Sequence, residues 1–235
     1  MILDLPGTEG ITMVRCMGTN CYIIQIRDGL IVVDAGWRSG VNPILVAIKD
    51  NGFQPTDVAL IILTHAHFDH FNFALELHER TGARIAAHRA DMPYIERGGA
   101  GIFPHHIRAI FLKNERLVAK LFHAPAVVVD CVLEDGDVLE DWRVCHTPGH
   151  TPGTISLYSE NRKVLITGGW AIPRKTLTTR PPWKNILVGY ISTDPERLCE
   201  SRNFLAGLDF QTLLCSHFRL QLFPLFARRL KSLKG

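Results

Sequence analysis

The stretch Val58-Ala-Leu-Ile-Ile-Leu-Thr-His-Ala-His-Phe-Asp-His70 decides how this chain is read. Its first half, Val58 to Leu63, is a short, continuous apolar run, the pattern of a buried β-strand. Its second half crowds three imidazoles and one carboxylate directly behind that strand. Polar groups set against an apolar strand need partners. The partner that suits imidazole and carboxylate together is a metal ion, zinc above all. His65 and His67 are two positions apart, so on extended backbone they share a face and can grip one ion. Asp69 and His70 follow the turn and can aim at a neighbouring ion.

Working outward, Thr19 to Ile26 and Leu30 to Asp34 flank Arg27-Asp-Gly29, a hairpin signal. A helix is expected over Val41 to Asn51, stopped by Gly52, and another over Phe73 to Arg80, ended by Gly82. Arg84 to Ala87 reads as a further strand. Strand, helix, strand and helix in alternation imply an α/β sheet. Hairpin patterns resume at Val127 to Leu133 and Asp141 to His146, joined through Glu134-Asp-Gly-Asp137. Thr154 to Tyr158 and Lys163 to Thr167 form another strand pair. A helix from Pro195 to Leu205 leads to a strand over Thr212 to Cys215. Further helices are expected over Ile107 to Phe122 and, basic and amphipathic, over Phe223 to Leu233. No linker or internal repeat divides residues 1–235, so one domain is expected.

With 235 residues and 46% of them hydrophobic, the chain can bury a substantial core. The net charge of +3 is too small to imply nucleic-acid binding, and no basic stripe is interleaved with aromatics. No apolar run approaches a membrane span. The N-terminal residues lack a basic region followed by a long apolar run, so no signal peptide is expected and a cytoplasmic location is the default. The six cysteines are scattered with no C-x-x-C pair, which points to reduced, buried thiols. Cys145 and Cys215 stand near candidate histidines, and core packing is their expected role.

A hydrolytic metal site is assembled from several strand ends, and two more candidates present themselves. Thr147-Pro-Gly-His-Thr-Pro-Gly153 carries His150 between two Pro-Gly pairs, which fix a backbone and the side chain on it. Leu214-Cys-Ser-His217 runs a strand straight into a histidine.

On these residues the chain resembles the metallo-beta-lactamase superfamily over nearly its whole length. The family's motifs match Asp34 at a strand end in Asp-Ala-Gly, then Thr64 to His70, then the Pro-Gly-His turn with His150, then the strand-terminal His217. The resemblance implies a four-layer αβ/βα sandwich with metals at one edge between the sheets. It implies that His65, His67 and His150 hold one zinc, and that Asp69, His70 and His217 hold a second. Asp34 would orient the ligand loop rather than bind metal. His146 would lie near the site without being a ligand. One motif departs from the family: Gly169 stands where a metal-bridging Asp is usual. The resemblance then implies one or two zinc ions with the second held more weakly, and zinc ahead of iron or manganese.

The activity implied is hydrolysis by hydroxide formed at the metal, cleaving an ester, lactone, thioester, amide or phosphoester bond, with Asp69 orienting the nucleophile and relaying a proton. The alternative is a catalytically silent metal- or ligand-binding member of the same fold. A diiron redox relative would carry a carboxylate at the position of His67, and a mononuclear iron dioxygenase would use the Asp that Gly169 replaces. The expected partner is a small-molecule substrate, anionic or acyl. That expectation rests on Arg174, Lys175, Arg180 and Lys184, together with Trp170, Trp183 and Tyr190, between residues 170 and 191. A solvated basic loop is the other reading of that segment. Residues 91–126, with His105, His106 and Phe111, are open to being a lid or ordinary packing.

Overall fold

The computed structural model describes residues 5–37, 39–103, 123–169 and 191–217. The helices expected over 107–122 and 223–233, the histidines at 105 and 106, and the basic and aromatic residues between 170 and 190 lie outside the described residues.

Two sheets organise the chain. The first contains β1 (Ile11–Cys16), β2 (Thr19–Ile26), β3 (Gly29–Val33), β4 (Val58–Leu63), β5 (Arg84–His88) and β6 (Cys131–Leu133), side by side in that order. Pairing is antiparallel from β1 to β3 and parallel from β3 to β6. The second holds β7 (Val138–Leu139), β8 (Trp142–His146), β9 (Ile155–Ser159), β10 (Val164–Thr167) and β11 (Thr212–Cys215), in the order β11-β10-β9-β8-β7. Parallel neighbours need a crossover. α1 (Asn42–Asp50) provides it between β3 and β4, α3 (Ala74–Thr81) between β4 and β5, and α5 (Pro195–Gly207) between β10 and β11. Two short α-helices, α2 (Phe68–Phe71) and α4 (Met92–Arg97), and a 3-10 turn over Pro55–Asp57 complete the described set.

Side-chain alternation explains the layers. Along β2, Tyr22 and Ile24 face one way while Cys21 and Ile23 face the other, and β3 divides Ile31 and Val33 from Leu30 and Val32. The inner faces of the two sheets meet in one cluster, where Tyr22, Ile24, Val33 and Ile62 pack against Trp142, Val144, Leu157 and Ile166. The outer face of the first sheet packs on Ile44 and Ile48 of α1 and Leu77 of α3. The outer face of the second packs on Leu198 and Leu205 of α5. The result is helices, sheet, sheet, helix: the four-layer α/β sandwich expected. β4 is buried on both faces from Ile61 to Leu63, and strands so buried are apolar throughout, which is why it shows no polar alternation.

One strand assignment is corrected. Val127 to Leu133 and Asp141 to His146 are not two arms of one hairpin. Only Cys131–Leu133 is strand there, and it pairs in parallel with β5 in the first sheet. β8 pairs with β7 and β9 in the second. Glu134 to Asp137 is therefore a passage between sheets. The helix expected over Phe73 to Arg80 is α3, preceded by the single turn α2 that carries Asp69 and His70. No helix among the described residues is long and apolar enough to cross a membrane.

Candidate metal centre

Strands β3, β4, β8, β10 and β11 all run out toward one edge of the sandwich, and the candidate residues sit on the segments that follow them. In α/β sheets this carboxyl edge is where ligands bind. Thr64 begins the decisive loop. Its backbone N–H donates to Asp34 Oδ1 at 2.8 Å and its hydroxyl to Asp34 Oδ2 at 2.9 Å. Its carbonyl accepts from Ile155 N–H at 2.9 Å, which ties the loop to the second sheet. Asp34 itself holds a left-handed backbone, φ +62°, at the end of β3.

His65, His67 and His150 converge. One ring nitrogen from each lies within 4.8 Å of the others. Hydrogen bonding fixes which nitrogen that is. The Thr64 hydroxyl has given its proton to Asp34, so at 3.0 Å it accepts from His65 Nδ1–H and leaves Nε2 bare. The Ile102 carbonyl can only accept, so His67 donates to it from Nε2 at 2.5 Å and keeps Nδ1 as its lone pair. His150 Nδ1 lies 3.4 Å from Ser192 Oγ. The Nε2 atoms of His65 and His150 are buried with no hydrogen-bond partner among the described residues. Two orphaned lone pairs in one buried place are costly unless a cation accepts them.

A second triangle adjoins the first. His70 Nε2 and His217 Nε2 are 3.1 Å apart, and Asp69 Oδ2 is 3.7 Å from each. His70 Nδ1 donates to Asp34 Oδ2 at 2.7 Å, and His217 Nδ1 faces the Gly18 carbonyl at 3.4 Å, so both Nε2 atoms carry lone pairs inward. Two such nitrogens need a proton or a cation between them. An ion with tetrahedral bonds of about 2.1 Å separates its ligand atoms by about 3.4 Å. The triangle matches that spacing, so the residues present fit a metal.

Electrostatics suit these side chains to ligating a cation. Burial, reinforced by neighbouring imidazoles, pushes His65 and His150 well below the ordinary histidine range. Burial lowers His67 to about 4 and lowers His217 as well. All four stay neutral, the ligand form. Burial opposes the charged form of His70 too, yet the Asp34 and Asp69 carboxylates together raise it. Burial pushes the Asp69 carboxyl up, but His70, His217 and His67 outweigh this and hold it low.

All six candidate ligands are thus brought together, in the two groups expected, with Asp34 behind them. His146 is turned away: its Nε2 meets the Pro152 carbonyl at 2.9 Å and its ring stacks on His88 at 3.9 Å. Cys145 and Cys215 belong to the outer core, and burial pushes the Cys145 thiol up to about 11. Gly169 has φ +51°, and a Cβ built there would press on the His150 ring, 3.0 Å from Nε2. Sequence reading missed the support beneath His217. The Asn20 amide and the Tyr22 hydroxyl both donate to the Cys215 carbonyl at 2.8 Å, and Asn20 N–H donates to the Ser216 carbonyl at 2.6 Å. It also missed Phe103, which stacks on the His67 ring at 4.5 Å. No local motif marks these residues.

Comparison with known proteins shows the family. The family model described as the metallo-beta-lactamase superfamily matches residues 14–217. The probable metallo-hydrolase YflN of Bacillus subtilis is 32% identical over 228 residues, covering 90% of this chain and 83% of that protein. The acyl-coenzyme A thioesterase MBLAC2 of Homo sapiens is 26% identical over 171 residues, 63% of this chain and 57% of that enzyme. Among solved structures, BJP-1, a subclass B3 metallo-beta-lactamase of Bradyrhizobium japonicum, superposes with a TM-score of 0.65 over 92% of this chain and 76% of that one, at 24% identity. That last likeness is one of fold. The chain belongs to the metallo-beta-lactamase superfamily, as one of its metallo-hydrolases.

Proposed function

We propose that the chain is a zinc hydrolase of small acyl substrates, acting on an ester, thioester or lactone ahead of an amide or phosphoester. His65, His67 and His150 hold one ion, and Asp69, His70 and His217 hold a second. The observation that carries this reading is the pair of buried Nε2 atoms of His65 and His150 that have no partner among the described residues, beside the triangle of Asp69, His70 and His217. Five imidazoles with one carboxylate form a nitrogen-rich set that suits zinc. The thioesterase among the relatives supports a carbonyl substrate.

The chemistry zinc supplies when bound is Lewis acidity, which brings the pKa of water to about 7 and polarises a carbonyl oxygen. The protein's own residues do the rest. Asp69, a member of the second group, is partly exposed, and its Oδ2 accepts from Thr19 Oγ1 at 3.4 Å. Its second oxygen can hold the attacking water and take its proton. Asp34 holds His70 in the tautomer that presents Nε2, and Thr64 does the same for His65. The three neutral imidazoles of His65, His67 and His150 would add no negative charge to an ion held there.

The experiment is metal analysis of protein purified without chelator, then turnover of aryl esters, acyl-coenzyme A thioesters and acyl lactones. Hydrolysis of at least one class is expected, lost with chelator and restored by zinc. The His67→Ala variant should lose both metal and turnover. Zinc-loaded protein that is inactive on every class would favour the silent binder.

A further inference from the structure

Asp91 stands at the N-terminus of α4, yet its side chain does not cap that helix. The residue is fully buried and its carboxylate reaches sideways to two other segments. Asp91 Oδ2 accepts from Ala66 N–H at 2.7 Å and from the Thr151 hydroxyl at 2.6 Å. Asp91 Oδ1 accepts from Gly153 N–H at 2.7 Å. Ala66 is the residue between His65 and His67, and Thr151 follows His150. One carboxylate therefore joins the two backbone segments that supply the three-histidine group.

We propose that Asp91 is a positioning residue that locks the His65–His67 loop and the His150 turn in one register and so sets the geometry of the three-histidine site. This rests on the reading of those histidines as metal ligands.

Both joined segments are built around the carboxylate. The Ala66 peptide is held at both ends, its N–H by Asp91 and its carbonyl by Ile102 N–H at 3.0 Å. Neither His65 nor His67 can swing on that peptide without breaking one of these bonds. On the other side, a Cβ at Gly153 would lie 2.7 Å from Asp91 Cγ and 2.6 Å from Asp91 N, so the turn closes on Asp91 only because residue 153 is glycine. The Thr151 hydroxyl, its proton given to Asp91, accepts in turn from the Thr154 hydroxyl at 2.7 Å. With three donors directed at its two oxygens, Asp91 is occupied as a carboxylate, and a protonated oxygen would have no acceptor among these partners. Charge-assisted bonds of this kind are the strong ones. An amide in the same place would set its NH2 against a backbone or hydroxyl donor.

The test is cobalt(II) titration of the Asp91→Asn protein beside the parent, following the visible absorption of each bound ion. The expected result is a first-site Kd raised about 10- to 100-fold with an altered cobalt spectrum. The second-site affinity, read the same way, should stay within about threefold, because Asp91 touches none of Asp69, His70 or His217. A residue that only stabilised the fold would lower the unfolding midpoint and leave the spectrum of the folded protein unchanged. Folded Asp91→Asn protein with the parent's first-site Kd and spectrum overturns the proposal. If Asp91→Asn does not fold, Thr151→Val removes one of the three bonds at nearly constant volume. A first-site Kd raised about tenfold supports the proposal, and an unchanged one overturns it. The His150→Ala protein separates the two layers of the argument. If it keeps the first cobalt, or if the parent binds none, the ligand reading falls and takes this proposal with it. If it loses the first cobalt while Asp91→Asn does not change, only the role of Asp91 falls.

Discussion

His70 Nδ1 donates to Asp34 Oδ2 across 2.7 Å, and both side chains are completely buried. The carboxylate cannot donate, so the bond selects the tautomer that presents Nε2 to Asp69 and His217. In an Asp34→Asn protein the amide would face three donors, from Thr64 and His70, with one oxygen. Affinity at the Asp69, His70 and His217 group should fall about 10- to 100-fold. Zinc titration followed by calorimetry would read this as a weakened second step, and an unchanged second step would contradict it.

Asp69 has a different expected signature. Asp69→Asn keeps the side chain's size but loses the ability to take a proton. Turnover should fall by about a hundredfold or more, the usual scale for general-base removal. The first zinc should remain bound, because Asp69 is not in the three-histidine group. Equal turnover by the two proteins at saturating zinc would remove Asp69 from the chemistry.

Gly169 offers a third test. A Cβ at this position would press on the His150 ring, and the left-handed φ costs a non-glycine residue about 1–2 kcal/mol. Gly169→Ala should therefore lower both the unfolding midpoint and the affinity of the first site. Gly169→Asp carries the same Cβ, so a carboxylate there must displace His150 before it can reach an ion. Zinc stoichiometry and affinity equal to the parent's in Gly169→Ala would show that the turn yields freely.

The metal-free protein should lose stability as pH falls. His67 has a folded pKa of about 4 against an ordinary 6.5, so between those values the unfolded chain binds the extra proton. Stability is full above about 6.5 and declines toward 4, by on the order of 3 kcal/mol from His67 alone. His65, His150 and His217 act with the same sign. His70 acts with the opposite sign, since its raised pKa adds stability below 6.5 that is lost as pH rises through its folded value. Urea midpoints measured in chelator at pH 7.5, 6 and 5 should fall in that order, and a flat series would contradict the burial of these rings.

Much of this was legible beforehand, for reasons that can be named. The run from Val58 to His70 is legible because a doubly buried strand has no polar alternation and because four ligand-type residues directly behind it have few other uses. β2, β3, β9, β10 and β11 are legible because turn residues bound them. The partner of β6 is not legible, because a three-residue strand carries no period from which to read it. Asp91 left no trace at all. Its partners lie 25, 60 and 62 positions away and two of its three bonds go to backbone, which has no letter in the sequence. Asn20 and Tyr22 were invisible for the same reason, since their acceptor is the carbonyl of Cys215.

The facing nitrogens of His70 and His217 come from residues 147 positions apart. Closing so long a loop is an entropic cost that an ion cannot offset early, because the second half of its site does not exist until both sheets have met. On the proposed reading the chain would fold first and acquire metal at this pair afterwards, unlike small zinc modules whose ions drive their folding. A folded, metal-free population would then be an ordinary stage in the life of each molecule, and the supply of metal would govern how many molecules are active rather than how many fold.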